Sequence, residues 1–199
     1  FLSAFMIDTP LPYVKPPALV YSVGMRQPSE LLGRLQWQSA TSNLEAKQKV
    51  AERIAGELED GDVVGLGSGS TSLLAVQALA ARAKREGLRF AGIPTSYEVR
   101  MACTTLGIST LSLTEAWPDW YFDGADEVDP GRNLIKGRGG AMYQEKLILR
   151  SSGRSFILVD RGKLVERLGM KFAIPVEVHP LALRLVEAAL RDLRATEVE

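Results

Sequence analysis

The sequence holds a single cysteine, Cys103, and a single histidine, His179. A lone cysteine closes no internal disulfide, which fits a reducing, cytoplasmic setting. No histidine lies near it in sequence, so Cys103 reads as a small buried hydrophobe rather than a nucleophile. With His179 alone, a Ser-His-Asp site or a histidine metal site is disfavoured. An excess of charge of either sign is missing too. Lys and Arg number 24, Asp and Glu number 24, and the pI is about 6.9, so neither a nucleic-acid surface nor a basic membrane patch is expected. No apolar run approaches the roughly 20 residues that span a bilayer. The start, FLSAFMIDTPLP, has no basic n-region, and its apolar run stops at Asp8 and Pro10, so it is no signal peptide. It also has no initiator methionine and reads as a fragment or a processed chain.

A length of 199 residues with 46% hydrophobic content supports one domain, or one plus a small second one. The most informative stretch is 119–147, DWYFDGADEVDPGRNLIKGRGGAMYQEKL. Trp120-Tyr121-Phe122 reads as the end of a buried strand. Asp123, Asp126 and Glu127 come next, with Asp129 just after. Lys136 then sits in a glycine-rich turn with Gly137, Arg138 and Gly139, and Glu145 opens an apolar-periodic run. Taken alone the acids are a solvated turn. Taken with the lysine and the second carboxylate they form an acid/base set, in which close like charges push pKa values apart.

The rest of the chain supplies the frame. Residues 1–41 are proline-interrupted (Pro10, Pro12, Pro16, Pro17, Pro28) and are expected to be an extended or disordered extension or a segment packing on a partner, with a short helix over 29–38. Ser42 and Glu45 have capping-box spacing, and Ala46, Val50, Ile54 and Leu58 continue at helical period. Residues 62–66 read as a strand, followed by Gly67-Ser68-Gly69-Ser70-Thr71 and a helix over 71–85. Strand, glycine/hydroxyl turn and helix is a layout that holds a phosphate, with N–H groups and the helix N-terminus pointing at the anion. GLGSGST matches neither GxGxxG nor GxxxxGK[ST], so it points to a single phosphate rather than a nucleotide, or to a plain tight turn. Strands are expected at 88–93, 108–113, 155–160 and 172–178, with another that Trp117-Pro118 leads into and that ends at Phe122, and helices at 97–106, 143–150, 164–168 and 181–193. Alternating strands and helices argue for a parallel sheet covered on both faces. Ligands then sit beyond the carboxyl ends of the strands, where both the GSGST and DGAD turns fall.

GSGST, Thr95-Ser96, DGADEVD, KGRGGA with Glu145-Lys146, and Pro175-Val176-Glu177-Val178 resemble the A-type ribose-5-phosphate isomerase family in order and spacing, from about Lys47 to Leu193. The resemblance implies an open Rossmann-like α/β core over 42–170 and the start of a small α+β lid over 171–199, which the family completes with several dozen further residues. It implies reversible aldose–ketose isomerisation of a sugar phosphate, no cofactor, no metal, and a homodimer or homotetramer. Position by position, Ser68, Gly69, Ser70 and Thr71 match the first substrate-binding turn; Asp123, Gly124, Ala125 and Asp126 match the second; Lys136, Gly137, Arg138 and Gly139 match the third. Glu145 matches the catalytic proton acceptor, Lys163 a further substrate contact, and Lys47 a lysine near the phosphate. Asp123, Asp126 and Lys136 complete the expected catalytic set. Arg138 stands where many members have glycine. Rival readings are a non-catalytic sugar-phosphate-binding module and an inactive fragment.

Overall fold

The computed structural model describes residues 5–7, 43–195 and 197–198. Its centre is a sheet of five parallel strands. These are β2 (Val63–Leu66), β3 (Ala91–Pro94), β4 (Ser109–Thr110), β5 (Trp120–Asp123) and β8 (Arg154–Ile157). A sixth strand, β1 (Phe5–Ile7), joins antiparallel to β8 at the edge, giving the order β1-β8-β5-β2-β3-β4. The proline-rich extension, expected to be loose or partner-bound, therefore lends three residues to the sheet. The helix expected over 29–38 lies outside the described residues. A separate ribbon pairs β6 (Glu127–Val128) with β7 (Leu134–Ile135).

Alternation along the strands divides the core between two faces. Val64, Leu66, Trp120, Phe122 and Phe156 pack with α1 (Leu44–Ala55), α2 (Gly69–Glu86) and α3 (Tyr97–Leu106). Tyr121 and Ile93 face the other way, onto Ile148 of α4 (Met142–Ser151). Helices therefore cover both faces, as the α/β pattern implies. Cys103 is a fully buried part of the first core, where burial pushes its thiol up to about 12. It is an inert filler and not a nucleophile.

Local signals explain several boundaries. The Ser96 hydroxyl accepts from the Val99 amide at 3.3 Å and opens α3, while Gly107 closes it at φ 73°. Ser42, on which the capping box expected at the start of α1 rests, lies outside the described residues. Asn43 is the N-cap of α1, and the Glu45 carboxylate accepts from Lys49 Nζ at 2.6 Å.

Three expectations are overturned. β4 is confined to two residues, because Ser112 turns the chain onto the Glu115 carboxylate (N···Oε2 2.8 Å). Residues 164–168 are not helical. Leu164 bridges to Val128, and the Val165 amide donates to the Val128 carbonyl at 2.9 Å, so the segment spends its backbone on β6. Residues 172–178 form no strand. A strand needs a ladder partner, and no described strand lies alongside. The chain continues into a short 3-10 turn, Pro180–Ala182, capped by His179, and then the amphipathic α5 (Leu183–Asp192), none of whose residues is buried.

Candidate active site

The chain leaves β2 toward β3 and β4 on one side and returns to β5 on the other. The carboxyl ends of β2 and β5 therefore adjoin at a switch point, where a crevice opens. Gly65 pairs with Tyr121 and Leu66 with Phe122, which sets Gly67 against Asp123. The Gly67 amide donates to the Phe122 carbonyl at 2.8 Å. A Cβ at Gly67 collides with both the Asp123 carboxylate and that carbonyl. Gly67→Ala is expected to destabilise the fold by about 1–3 kcal/mol, the usual scale of overpacking, and to displace Asp123. Thermal denaturation and a crystal structure of the variant check this.

Asp123 is the buried centre of the site, 1% exposed. Its Oδ1 accepts from the Ser68 amide (3.1 Å), the Ser72 hydroxyl (3.2 Å) and the Gly124 amide (2.7 Å). Its Oδ2 accepts from the Tyr121 hydroxyl (2.5 Å) and Lys136 Nζ (2.8 Å). Five donors saturate the roughly four lone-pair sites of a carboxylate. They offset the several kcal/mol it costs to bury such a charge. Burial holds the Tyr121 phenol well above its ordinary pKa of 10.0, and neighbouring Asp123 adds to this, so Tyr121 is a fixed donor.

Lys136 joins the two acids. Besides Asp123, its Nζ donates to the Gly124 carbonyl at 2.5 Å and lies 3.3 Å from Glu145 Oε2. That last contact is an ion pair by distance without hydrogen-bond alignment, and Oε2 is buried with no hydrogen-bond partner. Glu145 Oε1 accepts from the Ser68 hydroxyl at 3.0 Å. Burial raises the Glu145 pKa above the ordinary 4.5; Lys136 opposes the rise and Asp123 adds to it. The acid with the raised pKa is thus Glu145, on α4, and burial is the main cause, with neighbouring Asp123 only adding to it.

The remaining acids of DGADEVD do other work. Asp126 Oδ2 accepts from the Arg138 amide at 3.2 Å and so holds the glycine turn. Asp129 bonds Asn133 within its own turn. Glu127 is wholly buried away from the cleft. Gly137 needs its freedom: its φ is +87°, and a Cβ there would meet the Met142 side chain at 2.7 Å.

The N-terminus of α2 and Lys47 form the other wall. Ser68, the N-cap of α2, makes no side-chain cap bond, so the first amides of that 18-residue helix lack a side-chain acceptor from it. Lys47 reaches across from α1, its Nζ donating to Ser70 Oγ at 3.0 Å.

The residues that the family resemblance assigns to the site meet in one cleft of about 370 Å³: Lys47, Ser68, Gly69, Ser70, Thr71, Asp123, Gly124, Ala125, Asp126, Lys136, Gly137, Arg138, Gly139, Glu145 and Lys163. Lys163 enters from the 3-10 turn Arg161–Lys163 after β8. The Arg138 guanidinium lies 4.0 Å over the Phe172 ring. Sequence reasoning passes over Tyr121 and Ser72. Tyr121 shares a strand face with Asp123, two residues on, which is the available signal; Ser72 has none. Among the described residues there is no cluster of three or more His, Cys, Asp or Glu suited to a metal, and no helix is long and apolar enough to cross a membrane.

Fold and cleft together define a Rossmann-like α/β protein whose cleft sets the Glu145 carboxylate and Lys136 beside a helix N-terminus. The family described as Ribose 5-phosphate isomerase A (phosphoriboisomerase A) matches residues 91–198. Ribose-5-phosphate isomerase A of Methanothermobacter thermautotrophicus is 46% identical over 150 residues, 75% of this chain and 66% of that protein. Its counterpart in Methanocaldococcus jannaschii is 44% identical over 153 residues, 76% of this chain and 68% of that one. The solved structure of the latter superposes with a TM-score of 0.73 at the same coverage. A D-ribose-5-phosphate isomerase solved in complex with phospho-erythronic acid gives 0.70 at 39% identity, covering 76% of this chain and 68% of that one. The chain belongs to the ribose 5-phosphate isomerase A family. It spans about two thirds of the length of these curated relatives.

Proposed function

We propose that the protein interconverts D-ribose 5-phosphate and D-ribulose 5-phosphate in the non-oxidative pentose phosphate pathway. The observation that carries this reading is the buried Glu145 carboxylate, with one oxygen tethered to Ser68 and the other unbonded beside Lys136. A raised pKa suits a general base working near neutral pH. Relatives named as ribose-5-phosphate isomerases support the substrate.

In this reading the amides of Gly69, Ser70 and Thr71, with Lys47, hold the phosphate, and that anchor orients the sugar's reacting end. Gly124, Ala125, Gly137, Arg138, Gly139 and Lys163 line the sugar. Asp126 assists ring opening, because both oxygens of Asp123 are already taken. Asp123 instead holds Lys136 in place. Glu145 removes the proton from C2 and returns it to C1. One hydroxyl proton passes from the C2 oxygen to the C1 oxygen, so the enediolate forms and collapses with atoms balanced. Lys136 and loop amides stabilise the developing oxyanion. The chemistry calls for no cofactor or metal. We further take 42–170 as the catalytic core and 171–199 as part of a lid, in a cytoplasmic homodimer or homotetramer.

A coupled assay of ribulose 5-phosphate formation tests the proposal. Ribose 5-phosphate should turn over, whereas ribose should lose about a hundredfold or more in kcat/KM, since remote binding energy is used at the reacting carbons. Binding of ribose 5-phosphate without turnover would favour the sugar-phosphate-binding module.

A further inference from the structure

Glu127 is the one acid of the DGADEVD turn that is both wholly buried and remote from the cleft. Its partners lie more than forty residues away. Oε2 accepts from the Gly169 amide at 2.6 Å, and Oε1 accepts from the Lys171 amide at 2.6 Å and the Phe172 amide at 3.1 Å. Gly169 has φ +83°, a left-handed conformation that glycine adopts freely. Burial by itself raises a carboxyl pKa. Here the backbone donors outweigh it and hold Glu127 below the ordinary 4.5, so the anchor is charged at neutral pH.

The anchored segment touches three elements of the cleft. Lys171 Nζ donates to the Gly162 carbonyl at 2.5 Å and the Leu164 carbonyl at 3.3 Å, on either side of Lys163. The Phe172 ring lies 4.0 Å beneath the Arg138 guanidinium in the glycine turn. Further along, Glu177 Oε2 accepts from the Tyr143 amide at 2.5 Å, at the start of the helix that carries Glu145. Negative charge at a helix N-terminus is favourable, so this contact also steadies α4.

We propose that residues 169–177 form a strap across the cleft rim and that Glu127 is the positioning residue that fastens it, setting Lys163, Arg138 and the start of α4 in register for the sugar phosphate. The inference rests on the isomerase reading for its kinetic consequence, but the strap itself does not. Glu127 acts through backbone amides and touches no reacting atom.

Glu127→Gln keeps the shape and removes the charge, and its NH2 group faces a backbone N–H on one side. Its expected effect is a KM for ribose 5-phosphate raised about tenfold with kcat within about threefold, the pattern of lost ground-state positioning. Phe172→Leu, which keeps the fold's contacts but removes the aromatic face, should raise KM similarly, and the two changes should combine less than additively. Amide hydrogen exchange supplies a readout free of activity. In Glu127→Gln, exchange should quicken at residues 169–172, 138 and 163 while β2 and β5 stay protected. Exchange unchanged at 138 and 163 overturns the strap. So does faster exchange there with unchanged KM, or exchange quickened uniformly through the sheet, which marks a merely structural residue. If the unaltered protein shows no isomerase activity, the functional reading fails, while the exchange pattern still decides the strap.

Discussion

Glu145→Gln is expected to lower turnover by about a hundredfold or more with KM nearly unchanged, the usual scale for losing a general base. The amide preserves side-chain volume and the bond from the Ser68 hydroxyl, so lost activity reports chemistry rather than collapse. The same variant makes an opposite prediction for stability. Burial raises the Glu145 pKa in the folded protein above the ordinary 4.5. Between 4.5 and that raised value the native state binds more protons than the unfolded one. Stability from this group is therefore present below 4.5 and falls as pH rises through the folded pKa. Above that pKa the wild type bears the cost of a buried charge whose Oε2 lacks a hydrogen bond. Glu145→Gln removes that cost, so raising the pH through this range should lower its Tm less than that of the wild type. The acid limb of the wild-type rate profile should lie above pH 4.5 for the same reason. Near-normal turnover in the variant would remove Glu145 from its role.

Lys136→Met should do damage of both kinds. Methionine fills much of the same space without the ammonium. Asp123 then loses a donor at 2.8 Å, and the Gly124 carbonyl loses one at 2.5 Å. Removing one partner of a buried pair typically costs about 3–5 kcal/mol, so a clear drop in denaturation midpoint is expected. Turnover should fall about a hundred- to a thousandfold, the scale for losing a preorganised oxyanion donor. Lys136 also lowers the Glu145 pKa. Without it that pKa climbs, and the acid limb of any residual rate profile moves to higher pH. A variant with wild-type turnover would show that the developing charge is stabilised elsewhere.

The parts of the site readable in the sequence are those whose signal is local. Gly67 and Ser68 join a strand to the helix that Gly69, Ser70 and Thr71 open, and Ser96 and Gly107 bracket α3 with a cap at each end. The acids after Phe122 announce a strand end, but not which of them reaches the cleft. That choice depends on pairing: the β2–β5 register sets Gly67 against Asp123, and the β6–β7 ribbon directs the backbone of Asp126 to Ile135. Glu127 looks like one more acid in a cluster, because its partners lie 42 to 45 residues away. Residues 172–178 have strand composition, yet a strand exists only with a neighbour, and Glu177 caps α4 instead. Tyr121 is legible as core, but its hydroxyl bond to Asp123 comes from side-chain geometry within one strand.

The central claim is that Glu145 moves a carbon-bound proton in a sugar phosphate. The most direct test is to incubate the protein with ribose 5-phosphate in deuterated water and follow the C2 proton by NMR. Loss of that signal, together with the appearance of ribulose 5-phosphate, is the predicted result, and Glu145→Gln should suppress both. A folded protein that binds the sugar phosphate but exchanges no C2 proton would contradict the account.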